Sequence, residues 1–303
     1  MRLSSALAER AKAKNAPGVL VPAIREHMLG KHMEGENRRW DIIHPSELSH
    51  QKDFCPRAVW LRIVEGPVEP AKFDYGLQNI FDEGHSIHAK WQQRMREATP
   101  LWGNWKCRIC GYTEADCLEP LGYDHMTGRT SYARCDFEEG HHMWDYMEVQ
   151  LNAEEAALLA GHADGAAWTT LAEIKSVGEG TVRMEDPDFY NLYYSDKQVD
   201  LKEMWKDITR PFKTHVNQVD IYLWICDVRG YPFTSAEFIY ESKWNQLVKN
   251  FTIRYSEERS MKLVSQAIAI KAAVDSGDEP GCRFPGTCKN CLPYDERRAN
   301  KEA

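Results

Sequence analysis

Residues 161–177 read GHADGAAWTTLAEIKSV. Small and apolar residues alternate here in the manner of two strands joined by a short turn. Three charged side chains, Asp164, Glu173 and Lys175, fall within it. On neighbouring strands, Asp164 and Glu173 can converge on one hard cation, and Mg²⁺ and Mn²⁺ take such oxygen ligands. Lys175 follows Glu173 by two residues, so the period-two alternation of a strand puts both on one face. A lysine at that place can orient a water and stabilise charge developing on a phosphate. The competing reading is an exposed Glu–Lys pair, which is common and contributes little.

Working outward, EGHSIHAKW (83–91) lies in a stretch with apolar residues Ile80, Phe81, Ile87 and Trp91 at helical spacing, which predicts a long helix over 75–97. It carries Gly84 and, four residues on, His88, an imidazole able to complete a mixed N/O ligand set; His85 competes with it. KTHVNQVDIYLWICDVRG (213–230) predicts an amphipathic helix ending at Gly230. Gln218 and Tyr222 share a face of it and either reach a nucleic-acid backbone or serve helix packing. SAEFIYESK (235–243) reads as a strand closed by Lys243, and NFTIRYSEERSMKLVSQAIAIKAAVDSG (250–277) as one long helix. The aromatic loop at 186–195 either stacks unpaired bases or is plain surface.

With 303 residues, 43% apolar and 28% charged, the chain is an ordinary globular one with room for more than one domain. No apolar run approaches the roughly 18 residues of a membrane span, and the N-terminus has no apolar signal core, so a cytoplasmic protein is expected. A net charge of −8 argues against a broad basic surface for nucleic acid. A metal site, however, needs carboxylates, and its cations offset them. Basic clusters stand at 90–96 (KWQQRMR) and 297–301 (RRANK). There is no GxxxxGK[ST] phosphate loop, so a helicase or recombination motor would be a separate partner.

Nine cysteines in a reducing compartment point to metal ligands rather than disulfides. Cys282, Cys288 and Cys291, with the distant Cys55, make four thiolates, which suit a [4Fe–4S] cluster or Zn²⁺. A second group begins with the CxxC of Cys107 and Cys110 and adds Cys135, a zinc-knuckle pattern whose fourth ligand is Cys117, His141 or His142. Its segment looks too poor in apolar residues for a core of its own, so a metal staple is expected. Trp102, Trp105 and Arg108 there either stack on bases or pack on the module. Cys226 reads as a buried core thiol. Four regions follow: a helical N-terminal region (1–97), a zinc-binding insertion (98–145), an α/β core (146–275) and a C-terminal cysteine loop and tail (276–303).

Taken together, Gly84…His88, Gly161-His162-Ala163-Asp164, Glu173-Ile174-Lys175 and Gln218-x3-Tyr222, with CPRAVWLR (55–62) and GCRFPGTCKNC (281–291), resemble RecB-type nucleases of the PD-(D/E)xK superfamily. Within it the chain is most similar to the CRISPR-associated iron–sulfur exonuclease family and its phage-encoded relatives. The resemblance covers roughly 45–97 and 146–295. It implies an α+β restriction-endonuclease-like core and a Mg²⁺- or Mn²⁺-dependent deoxyribonuclease, an exonuclease on DNA with single-stranded ends favoured and with endonuclease activity left open. His88, Asp164, Glu173 and the Ile174 carbonyl would bind the catalytic metal, and Lys175 would position the water. Gln218, Tyr222 and Lys243 would meet the DNA. The four cysteines Cys55, Cys282, Cys288 and Cys291 would hold an iron–sulfur cluster. Two rivals remain from other classes: a non-catalytic DNA-binding or assembly protein held together by its metals, and an iron–sulfur electron carrier.

Overall fold

In the computed structural model the described residues are 22–27, 39–68, 75–124, 129–132, 134–135, 140–141, 143–195 and 198–302, with side chains left out over 121–142 and beyond 300. The expected polar helical start therefore lies mostly outside the described residues. The chain divides into two compact units, one of Met1–Arg39 and Pro70–Glu83, the other of Trp40–Glu69 and Gly84–Ala303. The second holds the sheet and all candidate site residues.

Helices α1 (Pro45–Ser49) and α2 (Pro56–Glu65) both place proline at the first turn, where its fixed φ suits the helix and its missing N–H is not needed. Cys55 is the N-cap of α2. Helix α3 (Tyr75–Ala98) matches the periodic stretch, although only Ile87 is buried along it; Ile80 and Phe81 are exposed. Strands β1 (Leu101–Cys107), β2 (Thr113–Leu118) and β3 (Trp144–Tyr146) follow, with two small hairpins between β2 and β3. Then come β4 (Val149–Ala153), β5 (Leu159–Ala163), β6 (Gly165–Ala167) and β7 (Thr170–Val177), helix α4 (Lys213–Arg229), β8 (Ser235–Ser242), β9 (Val248–Arg254), and helices α5 (Glu257–Ser276) and α6 (Leu292–Glu302).

A mixed seven-stranded sheet runs in the order β9-β8-β7-β6-β1-β2, with β3 also pairing β1; β4 and β5 form a separate ladder. Only β7 and β8 are parallel, in register from Thr170 opposite Ser235 to Val177 opposite Ser242. A parallel pair demands a long crossover, and here it contains α4. That helix is not amphipathic as its sequence suggests. Every position from Val219 to Cys226 is buried, so it is a central helix enclosed on all sides. It contacts α1, α5, β4 and β8. Gly230, in the left-handed conformation at φ 70°, ends it.

Three further expectations are corrected. The 161–177 stretch forms three strands, not two: Asp164 sits in a bend between β5 and β6, and the turn proper is Trp168–Thr169 between β6 and β7. The long helix expected from residue 250 begins only at Glu257. Residues 248–254 are an edge strand whose burial alternates residue by residue, and Ser256, accepting from the Arg259 N–H, caps the helix that follows. The cysteine-rich segment is not without a core. Its first strand joins the main sheet, and Leu101, Trp105, Cys107 and Trp144 form a small buried cluster.

Asp220 is 1% exposed within α4 and accepts two bonds, each 2.8 Å, from Arg259 of α5. Arg259→Ala leaves that carboxylate buried without its cation. We expect a loss of about 2 kcal/mol, measured as a lower urea midpoint at unchanged slope.

Candidate active site

Strand β7 presents alternate residues to two helices. Ser176 faces α3, where a Cβ on Gly84 would come within 3.4 Å of its hydroxyl oxygen. Lys175 faces α4 and donates to Gln218 Oε1 at 3.0 Å, and Gln218 in turn donates to the Tyr222 hydroxyl at 2.7 Å. Glu173, two residues back on the same face, lies 2.7 Å from the Lys175 ammonium. Tyr222 is 4% exposed, so it holds Gln218 from behind rather than meeting solvent.

Strand β6 begins at Gly165, opposite Ala172, and the bend before it turns the Asp164 side chain toward β7. Asp164 Oδ2 accepts the Ile174 N–H at 2.6 Å, and Oδ1 is 2.9 Å from His88 Nδ1. A strand residue points its N–H and its carbonyl to the same edge, so the Ile174 carbonyl faces this side as well. A Cβ on Gly165 would lie 2.9 Å from the methyl at the flexible end of Met95, which packs over this bend. The structure thus joins His88, Asp164 and the Ile174 amide in one set of contacts and Glu173 and Lys175 in another, near enough to act on one another electrostatically, while among the described residues the donor atoms of His88, Asp164 and Glu173 do not all converge to metal-ligand spacing; His85 is left on the exposed side of α3. Lys243 lies past the end of β8, its stem over Gly178.

The charges in this group depend on one another. Burial pushes Glu173 up to about 7, against the pull of Lys175. Burial disfavours the Lys175 ammonium, but Glu173 and Asp164 outweigh it and hold the lysine above its usual range. His88 is drawn down by burial and further up by its bond to Asp164, with a net rise. A nearly buried pair of carboxylates and an imidazole, short of positive charge, is a donor set that fits a hard divalent cation.

Several residues around the site carry no local signal. Glu241, 2% exposed on β8, accepts from Lys90 Nζ and from Trp91 Nε1 at 2.7 Å. Gln92 donates to the Asp164 carbonyl and to Glu148, each at 3.1 Å. Gln92 stands four residues after His88, so helical spacing alone could have marked it. Beyond Lys175, His215 is 2.5 Å from the Tyr240 hydroxyl, and Glu185 receives the Thr214 hydroxyl and lies 3.7 Å from His50.

The four cysteines of the first set meet. Cys55, Cys282, Cys288 and Cys291 have all their sulfurs within 4.8 Å of one another. The Cys55–Cys291, Cys55–Cys282 and Cys291–Cys282 separations are 3.6, 3.7 and 3.8 Å. Burial raises Cys55, but amide N–H groups of Ala58 and Arg283 bring it down to about 7. Four converging thiols fit a thiophilic metal. Four thiolates suit Zn²⁺ or an iron–sulfur cluster alike.

The second set is not assembled among the described side chains. Cys107 and Cys110 flank a tight turn closed by the Gly111 N–H on the Cys107 carbonyl. Cys117 pairs across from Gly103, four residues down β1 from Cys107, about 13 Å away at strand rise. It does not join the CxxC. Strands carrying Cys135 and His141 pair in a hairpin, but the side chains of Cys135, His141 and His142 lie outside the described residues. Trp105 is fully buried, Trp102 packs edge-on against Tyr231 and Phe233, and Arg108 pairs with Asp145, so these pack rather than await bases. Cys226 is a buried thiol, pushed up to about 12 by burial. The basic clusters are also engaged: Lys90 with Glu241, Arg96 with Glu119, Arg297 and Arg298 with Glu65.

Burial holds His215 down to about 3, so the folded protein keeps it neutral while the unfolded chain protonates it below about 6.5. That contribution to stability is complete above 6.5 and is lost as pH falls toward 3. Between about pH 6 and pH 4 the wild type should lose up to about 1.4 kcal/mol per pH unit from this group. In His215→Phe that part of the slope should vanish, as read from urea midpoints across the range.

No protein-family model and no curated protein matches the sequence. Among solved structures the chain is similar to the alkaline exonuclease LHK-Exo from Laribacter hongkongensis, at 10% identity and a TM-score of 0.41, over 92% of this chain and 100% of that one. It is similar to LHK-Exo in complex with dAMP, at 10% identity and a TM-score of 0.44, over 87% and 96%. It is also similar to the protein SSO0001, at 12% identity and a TM-score of 0.38, over 92% and 96%.

Proposed function

We propose that this protein is a Mg²⁺- or Mn²⁺-dependent DNA exonuclease that hydrolyses phosphodiester bonds, from single-stranded ends, in recombination, repair or processing of DNA. The observation that carries the reading is the Asp164–Glu173–Lys175 group at the β6–β7 edge, with His88 delivered to it across α3. An ordinary surface ion pair needs no third and fourth partner and does not bury its acid to 3% exposure. His88, Asp164, Glu173 and the Ile174 carbonyl would hold the divalent cation. Bound there, it supplies charge stabilisation at the phosphate and a more acidic water.

The chain's own residues do the rest. Glu173 and Gln218 fix the Lys175 ammonium from two sides, so its third N–H can donate to the attacking water without reorganising. Tyr222 locks Gln218, and Gln92 anchors the backbone of Asp164. A helicase or recombination protein would act as a separate partner. The four-thiolate site takes a structural metal that ties α2 to the C-terminal loop. The resemblance favours an iron–sulfur cluster, and four thiolates also suit a single Zn²⁺. Zinc in the Cys107–Cys110 module, with Cys135 and His141 or His142, belongs to the same proposal.

End-labelled single-stranded and duplex DNA, incubated with Mn²⁺, Mg²⁺ or EDTA, tests the activity. Wild type should cut only with a divalent ion, while Glu173→Ala and Lys175→Ala should each lose at least about 100-fold. Cleavage in EDTA, or full cleavage by either variant, would sink the nuclease reading. Metal analysis tests the cysteines. Cys288→Ser should lose one metal centre and melt at lower temperature. Iron with broad visible absorption identifies a cluster, zinc without iron a single ion, and a wild type free of both metals refutes the site.

A further inference from the structure

Glu148 stands where the β4–β5 ladder meets the active site. Val149 of β4 and Ala163 of β5 are the end pair of that antiparallel ladder. One residue further, Glu148 and Asp164 would be directly opposite, and carboxylates so placed repel. The ladder does not continue. Asp164 turns into the bend before β6, and Glu148 adopts the left-handed conformation, with φ at 64°. A long side chain takes that conformation only where its surroundings impose it. Asn104 of β1 clamps the segment: its N–H donates to the Glu148 carbonyl at 2.9 Å, and its own carbonyl accepts the Met147 N–H at 2.8 Å. Gly103 lets the two backbones approach, since a Cβ on it would lie 2.8 Å from the Glu148 carbonyl oxygen.

The half-buried Glu148 carboxylate takes its hydrogen bond from Gln92 of α3. Both N–H groups of that amide are used: Gln92 Nε2 is 3.1 Å from Glu148 Oε1 and 3.1 Å from the Asp164 carbonyl oxygen. A carboxylate and a carbonyl only accept, so together they select the NH₂ end of the amide. With the Asp164 carbonyl as its one acceptor, the amide is free to turn. Glu148, Gln92 and Asp164 thus bridge the gap that the broken ladder leaves. The electrostatics agree. Burial and the Asp164 charge raise the Glu148 carboxyl, while Gln92, His162 and His88 draw it down, so it shares the field of Asp164 and His88.

We propose that Glu148 is a positioning residue of the active site: through Gln92 it holds the bend that aims the Asp164 carboxylate at β7. Asp164 Oδ2 then meets the Ile174 N–H, and Oδ1 stays beside His88. The proposal rests on the nuclease reading for its consequence, because a cation held by Asp164 is held less well once the bend loosens. That Glu148 acts on Asp164 through Gln92 is measurable without a cation.

A double-variant cycle tests it with wild type, Glu148→Asn, Gln92→Ala and the two combined. Asparagine suits the left-handed backbone but stops short of Gln92. Glu148→Gln keeps an acceptor oxygen at full length, and Glu155→Gln removes an exposed carboxylate as a control. Amide exchange at Ile174, followed by NMR without added Mg²⁺ or Mn²⁺, reports the bond to Asp164, and the amides of the β8–β9 ladder report global opening. Glu148→Asn and Gln92→Ala should each speed Ile174 exchange about fivefold with the β8–β9 amides unchanged. The combined variant should exchange no faster than either single one, and Glu148→Gln should stay near wild type. Mn²⁺ affinity, read from the free-ion EPR signal, should fall about tenfold in the same three variants and hold in Glu155→Gln. Unchanged Ile174 exchange in Glu148→Asn, effects that multiply in the combined variant, an equal loss in Glu155→Gln, or β8–β9 amides that speed as much as Ile174 each overturn the positioning role. Wild type that cleaves DNA with Mn²⁺ while Ile174 exchange is unmoved by Glu148→Asn keeps the nuclease and removes the positioning. The exchange pattern expected here, in a protein that does not cleave, does the reverse.

Discussion

The placement of α3 governs the rest of the site, and a buried carboxylate holds it there. Glu241, 2% exposed on β8, takes the Lys90 ammonium and the Trp91 indole from one turn of α3. A carboxylate at that depth is tolerated only when its oxygens are satisfied, so the helix cannot rotate or slide without leaving a buried charge unpaired. Gln92 ties the same helix to the Asp164 backbone. With those contacts made, His88 falls 2.9 Å from Asp164. His88 is itself part-exposed and held by one bond, so its position is borrowed from its neighbours on the helix.

A comparable economy holds the C-terminal segment. Cys55 and Cys282 are 227 residues apart in the chain, and a metal on the four thiols would close that long loop. Side chains around it make the same closure. Arg57 of α2 reaches Glu279 and Asp295, at 2.5 and 2.6 Å, and Arg298 of α6 reaches Glu279 at 2.8 Å and Glu65 as well. These pairs are partly exposed and each contributes modestly, but as a network on both sides of the cysteines they set the approach of α2 and α6. The thiols converge within a frame that ion pairs also define.

Much of the site was legible in the sequence because its key spacings are local. Glu173 and Lys175 share a strand face by alternation, and Gln218 and Tyr222 share a helix face by the four-residue turn. Errors arose where a local pattern admits two structures. NFTIR suits a strand as well as a helix, and the sheet edge decided for a strand. The α4 sequence mixes polar and apolar residues enough to look one-sided, yet Asp220 is buried because Arg259, far along the chain, comes to it. Cys117 stands near a CxxC in sequence but is carried down β1 by the strand register.

By itself the sequence determined residue chemistry at short range: two carboxylates and a lysine on adjoining strands, four thiols in two distant groups, a long helix ending in glycine. It also showed that the chain has no GxxxxGK[ST] motif. The tertiary structure alone decided what those groups meet. It brought His88 to Asp164 across 76 residues, buried Glu173 so that its proton affinity rises, and paired Lys90, Arg96, Arg297 and Arg298 with internal acids. The reason is that periodicity fixes only which side of an element a residue occupies. Which element faces that side, and how much water is excluded between them, follows from packing the whole chain.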